Sequence, residues 1–353
     1  MKQFDIFNSN KVLVHHEAMA AIAAGRHSFP VTVSIDPSSA CNQRCVWCSG
    51  RGYVNKDPNS LHIDVLMRLP DDCMEMNVKG VWFTGGGEPY MNPNLSDAIV
   101  KFRGMGIKVG VVTNAAMMDD RDCQIAATQC EFIRVSFDAG MRETYSALHG
   151  SDDFERALDR LNMIGFYKHN YGKAKSYDAQ VGMSYLVHPL NYLELERACF
   201  NAYEAGADYI QFKPVVMGQD WLSDPRLNDY IMFELEILQK KFDKKNFRVL
   251  SNFKRFRHAK KGYKRLYKEC LGHGLIAVVM ATGQLNICCQ HRMNPDYAFG
   301  NLKKNSLAEI WQNYERVMVA KNINLKNCPT CKYESYNQML WTMKYPPMHT
   351  EFL

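Results

Sequence analysis

The chain has 353 residues, with 43 Lys+Arg against 37 Asp+Glu, 46% hydrophobic residues and 12 cysteines. This near-average composition excludes disordered, collagen-like and coiled-coil classes, and no apolar run approaches the ~20 residues that span a bilayer. The first ten residues lack the basic-then-apolar order of a secretory signal, so the expectation is a cytoplasmic protein of about two domains. There a disulfide framework is disfavoured, and the thiols serve metal ligation or core packing.

Taken in chain order, residues 10–24 read as one helix ended by Gly25, and VTVSID at 31–36 reads as a strand. Cys41-x3-Cys45-x2-Cys48 follows. Three thiolates so close together suit zinc or an iron–sulfur cluster. A structural zinc would need a fourth ligand nearby; Ser49 to Asn59 supplies none, and His62 is the first candidate. Three ligands leave one iron of a [4Fe–4S] cube open, which suits a catalyst. A helix over 60–69 and a strand over 80–84 lead to Gly85-Gly86-Gly87-Glu88-Pro89, where glycines let the backbone approach a ligand closely.

Further strands are predicted at 107–113, 132–138, 180–187 and 208–214, with helices over 94–104, 119–129, 153–166 and 191–205. This is the alternation of a parallel sheet. Asp153 is placed to cap one of these helices and Gly206 to end another. Cys73, Cys123, Cys130 and Cys199 lie in helix-like stretches and read as small buried hydrophobes.

From Lys240 to Lys268 the chain carries 13 Lys+Arg and one acid, Asp243. Phe242, Phe247, Phe253, Phe256, Tyr263 and Tyr267 interleave this block. Basic and aromatic residues together make RNA contact physically available. A solvated face, docking of an acidic electron donor, or recognition of a phosphorylated small substrate are the competing readings, and nucleic acid is disfavoured. Beyond it, LIAVVMATGQLNICC reads as two strands about a Thr-Gly turn that deliver Cys288, and Cys328-Pro-Thr-Cys331 supplies a CxxC.

The three-cysteine spacing with Trp47 before the third cysteine, and the GGGEP run 37 residues after it, resembles the signature of the radical S-adenosylmethionine (SAM) enzymes. The resemblance implies a partial (β/α)6 TIM-like barrel of α/β class. It also implies SAM and a [4Fe–4S] cluster held by Cys41, Cys45 and Cys48. In the family the cluster reduces SAM to a 5′-deoxyadenosyl radical that takes a hydrogen atom from substrate. Gly85, Gly86, Gly87 and Glu88 then resemble the segment that holds the SAM amino group, and Trp47 would pack near the adenine.

Active sites of such barrels lie at the C-terminal strand ends. That nominates Thr113 and Asn114, Ser136 and Asp138, Ser184 and His188, and Gln211 and Lys213. Asn114 and Ser136 are assigned to the cofactor, and Asp138 and Lys213 to catalysis. For Asn114, Ser136 and Asp138 the rival reading is ordinary turn chemistry.

The second cysteine set resembles the SPASM/twitch extensions of the family. Cys270 stands thirteen positions before Gly283 and Cys288 five after it, and Phe299–Leu302 and Ser306–Trp311 resemble the linking segment. No cysteine follows Cys331, so the shorter form is implied, a small α+β domain with one auxiliary [4Fe–4S] cluster. Its ligands would be Cys270, Cys288, Cys328 and Cys331, with Cys289 the alternative to Cys288 and a zinc-ribbon site the rival. The expected organisation is an N-terminal helix and lead-in over 1–29, the barrel over 30–215, a basic helical linker over 216–269 and the auxiliary domain over 270–353.

Chemistry on a small molecule, such as oxidation of a sugar or cyclitol alcohol, is favoured over modification of a peptide. The reason is that only about 30 residues precede the first strand, fewer than the leader-binding domain common in peptide-modifying relatives. A non-catalytic iron–sulfur or zinc protein that binds RNA is the third class. An electron donor such as flavodoxin or ferredoxin is implied, and no membrane partner.

Overall fold

The structure, a computed structural model, describes residues 7–172, 179–215, 224–244, 246–261, 264–292 and 294–351. Ten strands form one sheet: β1 Thr32–Ile35, β2 Gly80–Phe83, β3 Lys108–Thr113, β4 Phe132–Ser136, β5 Gln180–Val187, β6 Tyr209–Pro214, β7 Arg248–Ser251, β8 Ile276–Val279, β9 Gln284–Asn286 and β10 Ala298–Asn301. Their order is β10-β9-β8-β1-β2-β3-β4-β5-β6-β7. Neighbours from β8 through β1 to β7 are parallel, and β8, β9 and β10 pair antiparallel.

Strand alternation creates two faces. Val33 and Ile35, Val109 and Val111, and Ile133 and Val135 are buried in the main core with the helices. The alternate residues, among them Ser34, Trp82, Arg134, Ser184, Gln211 and Lys213, turn to the inner face. The four isolated cysteines Cys73, Cys123, Cys130 and Cys199 lie in the core, none more than 3% exposed. The six expected barrel strands are present, with bounds shifted by up to two residues.

Four expectations change. The helix expected over 60–69 runs Ile63–Glu75 straight through Pro70. Burial of Leu66, Leu69 and Cys73 along one face outweighs the hydrogen bond that proline deletes. The segment expected as one helix over 10–24 is a 3-10 turn, Ser9–His15, followed by the α-helix His16–Ala23.

The stretch 216–269 is more than a linker. Helix Pro225–Phe242, started by Pro225 and capped by Asp224, buries Ile231, Leu235 and Leu238 and precedes β7, a seventh parallel strand on β6. Within the basic block Phe247, Phe256 and Tyr267 are at most 4% exposed and Phe242 and Phe253 pack against the core, so these rings cannot stack on bases. Lys245 and Tyr263 lie outside the described residues. Finally, the auxiliary region joins the barrel sheet, because β8 pairs with β1 in register Thr32–Ile276 to Ile35–Val279. Among the described residues no helix is long and apolar enough to cross a membrane.

Candidate active site

The three-cysteine loop follows β1 and is held by groups distant in sequence. The Gly87 N–H donates to the Ser38 carbonyl at 3.0 Å and the Glu88 N–H to the Ala40 carbonyl at 2.8 Å. A Cβ on Gly87 would stand 2.1 Å from the Ala40 oxygen, so only glycine permits this approach. Asn55, at φ 60°, brackets Cys41 with two 2.8 Å bonds, one to its N–H and one to its carbonyl. The Asn114 amide donates to Asn42 Oδ1 at 2.8 Å, and Asn42 donates to Asp153 Oδ2 at 3.0 Å. Asp153 was expected to cap the helix Phe154–Tyr167; its side chain makes no capping bond and is spent on the loop.

Cys45 Sγ lies 3.2 Å from His149 Nδ1. His149 was not anticipated. It ends the helix Arg142–His149 ahead of Gly150 in the left-handed region, stacks on Tyr145, and turns Nε2 to the Phe137 carbonyl at 3.0 Å. A carbonyl only accepts, so Nε2 facing Phe137 is a donor, while Nδ1 faces two groups at once, the Cys45 thiol and, at 3.0 Å, Gln43 Oε1. Burial pulls its pKa down to about 4, so the ring is neutral. The thiols of Cys41, Cys45 and Cys48 act on one another electrostatically, which places them in one neighbourhood. Burial pushes Cys41 up to about 11 and Cys45 upward too; the positive charge of bound iron is what makes such thiols thiolates. Trp47 is half-buried, its ring centroid 6.0 Å from His149 and 5.5 Å from His188.

Glu88, expected at the cofactor, is turned to protein. Oε1 accepts from the Tyr90 N–H at 3.1 Å and the Thr113 hydroxyl at 2.5 Å, and Oε2 from the Asn114 N–H at 2.8 Å. It therefore clamps the end of β2 to the end of β3, and burial pushes its pKa up to about 7. Asp138, at φ 58°, accepts the Leu186 N–H at 2.6 Å and lies 3.5 Å from His149 Nε2. Burial likewise raises it to about 7, opposed by the Leu186 N–H and by Lys213. Lys213 is held well below its ordinary value, by burial first and then by Arg134 and Arg255. Ser136 and Ser184 are register partners on β4 and β5, and Ser184 pairs with Gln211 on β6.

The second cysteine group is gathered from separated segments. Cys270, Cys288, Cys328 and Cys331 line one cavity with His291, Tyr297 and Tyr333. Asn337 Oδ1 accepts the Leu271 and Gly272 N–H groups, both at 2.7 Å, fixing the chain after Cys270. The Thr282-Gly283 turn, with Gly283 at φ 81°, reverses β8 into β9 and delivers Cys288. Cys289 does not line the cavity; it is buried against Val278 and Met280, with Sγ 3.6 Å from the Tyr333 hydroxyl. Among the described residues no three such side chains converge as a ligand set for a single metal ion. Arg292, another residue missed in sequence, spans the two regions through a two-pronged pair with Asp36 at 2.6 and 3.0 Å.

The sequence profile of the radical SAM superfamily matches residues 35–171, and that of the SPASM iron–sulfur cluster-binding domain matches residues 270–332. The chain is 20% identical over 318 residues to the tungsten-containing aldehyde ferredoxin oxidoreductase cofactor-modifying protein of Pyrococcus furiosus, covering 84% of this chain and 86% of that one. It is 26% identical over 196 residues to the mycofactocin maturase MftC of Mycobacterium ulcerans, covering 54% of this chain and half of that protein. In fold it is similar to Streptococcus suis SuiB, solved bound to precursor peptide SuiA, with a TM-score of 0.64 at 15% identity over 93% of this chain and 75% of SuiB. The two cysteine groups, the glycine cradle beside the first and these matches have one reading: the chain belongs to the radical SAM superfamily and carries a C-terminal SPASM domain, with SAM, a [4Fe–4S] cluster and auxiliary iron–sulfur ligation as its cofactors.

Proposed function

We propose that the chain is a radical SAM enzyme that modifies a peptide, with the two cysteine groups serving the two ends of one oxidation. The observation that carries this is their placement on adjoining strands: the first group follows β1, and β8, paired with β1, leads through β9 to the second. A substrate on the inner face of the sheet then lies between a site that removes a hydrogen atom and a site that accepts the remaining electron. When bound, the first cluster and SAM supply reductive cleavage to the 5′-deoxyadenosyl radical. The protein's own part is positional. Cys41, Cys45 and Cys48 hold that cluster, and the Gly85–Gly87 backbone receives the SAM amino group. Asn114 and Ser136 offer polar contacts to SAM, and Trp47 offers an aromatic surface. His149 and Glu88 keep the loop in place. Asp138 and Lys213 sit where substrate protons and charge would be handled, and Cys270, Cys288, Cys328 and Cys331 hold the auxiliary cluster.

The peptide substrate takes its support from MftC, named a maturase, and from SuiB, solved with its precursor peptide. It replaces the small-molecule reading favoured from sequence. The test is anaerobic incubation of the reconstituted protein with SAM, reductant and, in parallel, deuterated candidate peptides or deuterated small metabolites. The expected result is 5′-deoxyadenosine carrying peptide deuterium. No 5′-deoxyadenosine at all would overturn the enzyme reading; deuterium only from small metabolites would overturn the peptide one.

A further inference from the structure

We propose that the inner face of the sheet contains an anion-recognition site, in which Arg134, Lys213, Arg255 and Lys332 receive a carboxylate of the substrate. That the carboxylate belongs to a peptide rests on the function proposed above; the site itself does not.

Arg134 on β4 stands in register with Val112 on β3 and Gly182 on β5. The ring of Tyr209 lies over Gly182 and acts electrostatically on Arg134, which is shut in on the inner face beside it. Lys213, also inward, is in register with Leu186. Arg255 enters from the helix Phe253–Lys261, whose start is fixed by the Asn252 N–H donating to the Phe212 carbonyl at 3.1 Å and by Asn252 accepting the Arg255 N–H. Lys332, next after the last cysteine of the second group, crosses to the barrel and sets Nζ 3.8 Å from the centre of the Trp82 ring. Strands and SPASM domain thus converge four cations on one space, and Arg134, Arg255 and Lys332 each act electrostatically on Lys213.

The carboxylates that face this group are too few to balance it. Asp138 acts on Lys213 but is engaged by the Leu186 N–H. Glu334 acts on Arg255 but is shared with Lys254 at 3.6 Å. Asp36 is taken by Arg292. Four basic side chains therefore face two partly committed carboxylates, with the thiols of Cys289 and Cys331 acting on Lys332 and Arg255, and keeping all four charged there is costly unless an anion joins them. The same face carries polar atoms shut off from solvent without hydrogen-bond partners: Arg134 Nε, Trp82 Nε1, Gln211 Oε1 and Ser34 Oγ. Donors beside a surplus of positive charge fit a carboxylate, and the Gln211 oxygen fits an N–H, as a peptide amide provides.

The test measures binding to the reconstituted, anaerobic holoenzyme by calorimetry. The probes are tricarballylate and pyrophosphate as bare anions, and two pools of synthetic octapeptides with a fixed central Glu or Gln. We expect saturable, salt-sensitive binding of tricarballylate and of the Glu pool. In Arg134→Gln and in Lys213→Met it should weaken by about tenfold, at unchanged iron content. Should those variants fail to fold, the wild-type comparison of Glu with Gln pools decides alone.

Bare anions that bind in an Arg134-dependent way while neither pool binds would uphold the anion site and remove the peptide reading. Equal binding of both pools, indifferent to Arg134→Gln, would overturn the anion site and leave the peptide reading standing. Absence of all anion binding would overturn it too. So would an Arg134→Gln variant that binds anions normally and only shifts the auxiliary cluster's midpoint potential, because the cations would then serve that cluster.

Discussion

The two cysteine groups solve one problem in opposite ways. The first puts three thiols within eight residues, Cys41 to Cys48, and borrows its rigidity from elsewhere: Gly87, Asn114, His149 and Asp153 all reach into the loop. The second disperses four thiols over Cys270 to Cys331 and gathers them around one cavity on a hairpin and a bracketing Asn337. Three ligands leave an iron exposed for a cosubstrate, and four close it. The first group is thus written locally but stiffened from afar, whereas the second is written across a domain.

The sharpest way to break this comparison is to remove one thiol from each group. Cys45→Ala should lose about four irons and all SAM cleavage. Cys331→Ala should lose about four as well yet still release 5′-deoxyadenosine, without completing the substrate's oxidation. Equal loss of SAM cleavage in both variants would show that the second group is not a separate relay.

Within the second group, Cys288→Ala should lose the auxiliary irons while Cys289→Ala keeps them, as iron analysis would read. The reverse outcome would mean that the buried Cys289, and not the thiol lining the cavity, is the ligand.

In the first group Gly87→Ala forces a Cβ to 2.1 Å from the Ala40 carbonyl. Such overpacking costs about 1–3 kcal/mol and should weaken SAM binding by about tenfold or more. Gly52→Ala meets nothing within 4 Å and serves as control; equal SAM affinity in the two variants would refute the close approach.

The smallest effect concerns Glu88. Its folded value of about 7 lies above its ordinary 4.5. The stability tied to its protonated form is therefore complete below about pH 4.5 and lost as the pH rises through about 7, by at most ~1.4 kcal/mol per pH unit. Melting curves between these limits should show that decline in the wild type and a flatter profile in Glu88→Gln. Parallel profiles would place the titration elsewhere.

Much of this was legible in the sequence where a pattern was local. Apolar, β-branched runs marked six strands within two residues of their observed limits, and cysteine spacing marked both groups. Illegible were features made by packing. β7 was masked by the basic run, because Lys and Arg around Phe247 and Val249 hide a buried alternation. The pairing of β8 with β1 joins residues more than 240 apart and has no local signal. His149 carries no local signal, since only the folded loop brings Cys45 to 3.2 Å. The motif of Glu88 was recognised, but its three acceptor bonds become visible only once β2 and β3 lie side by side.

The central claim, one open and one closed cluster, is tested most directly by electron paramagnetic resonance of the reduced protein with and without SAM. The expected result is two cluster signals, of which SAM alters one; that one is missing from a Cys41/Cys45/Cys48→Ala variant. A signal that survives in the variant and still responds to SAM would contradict the account.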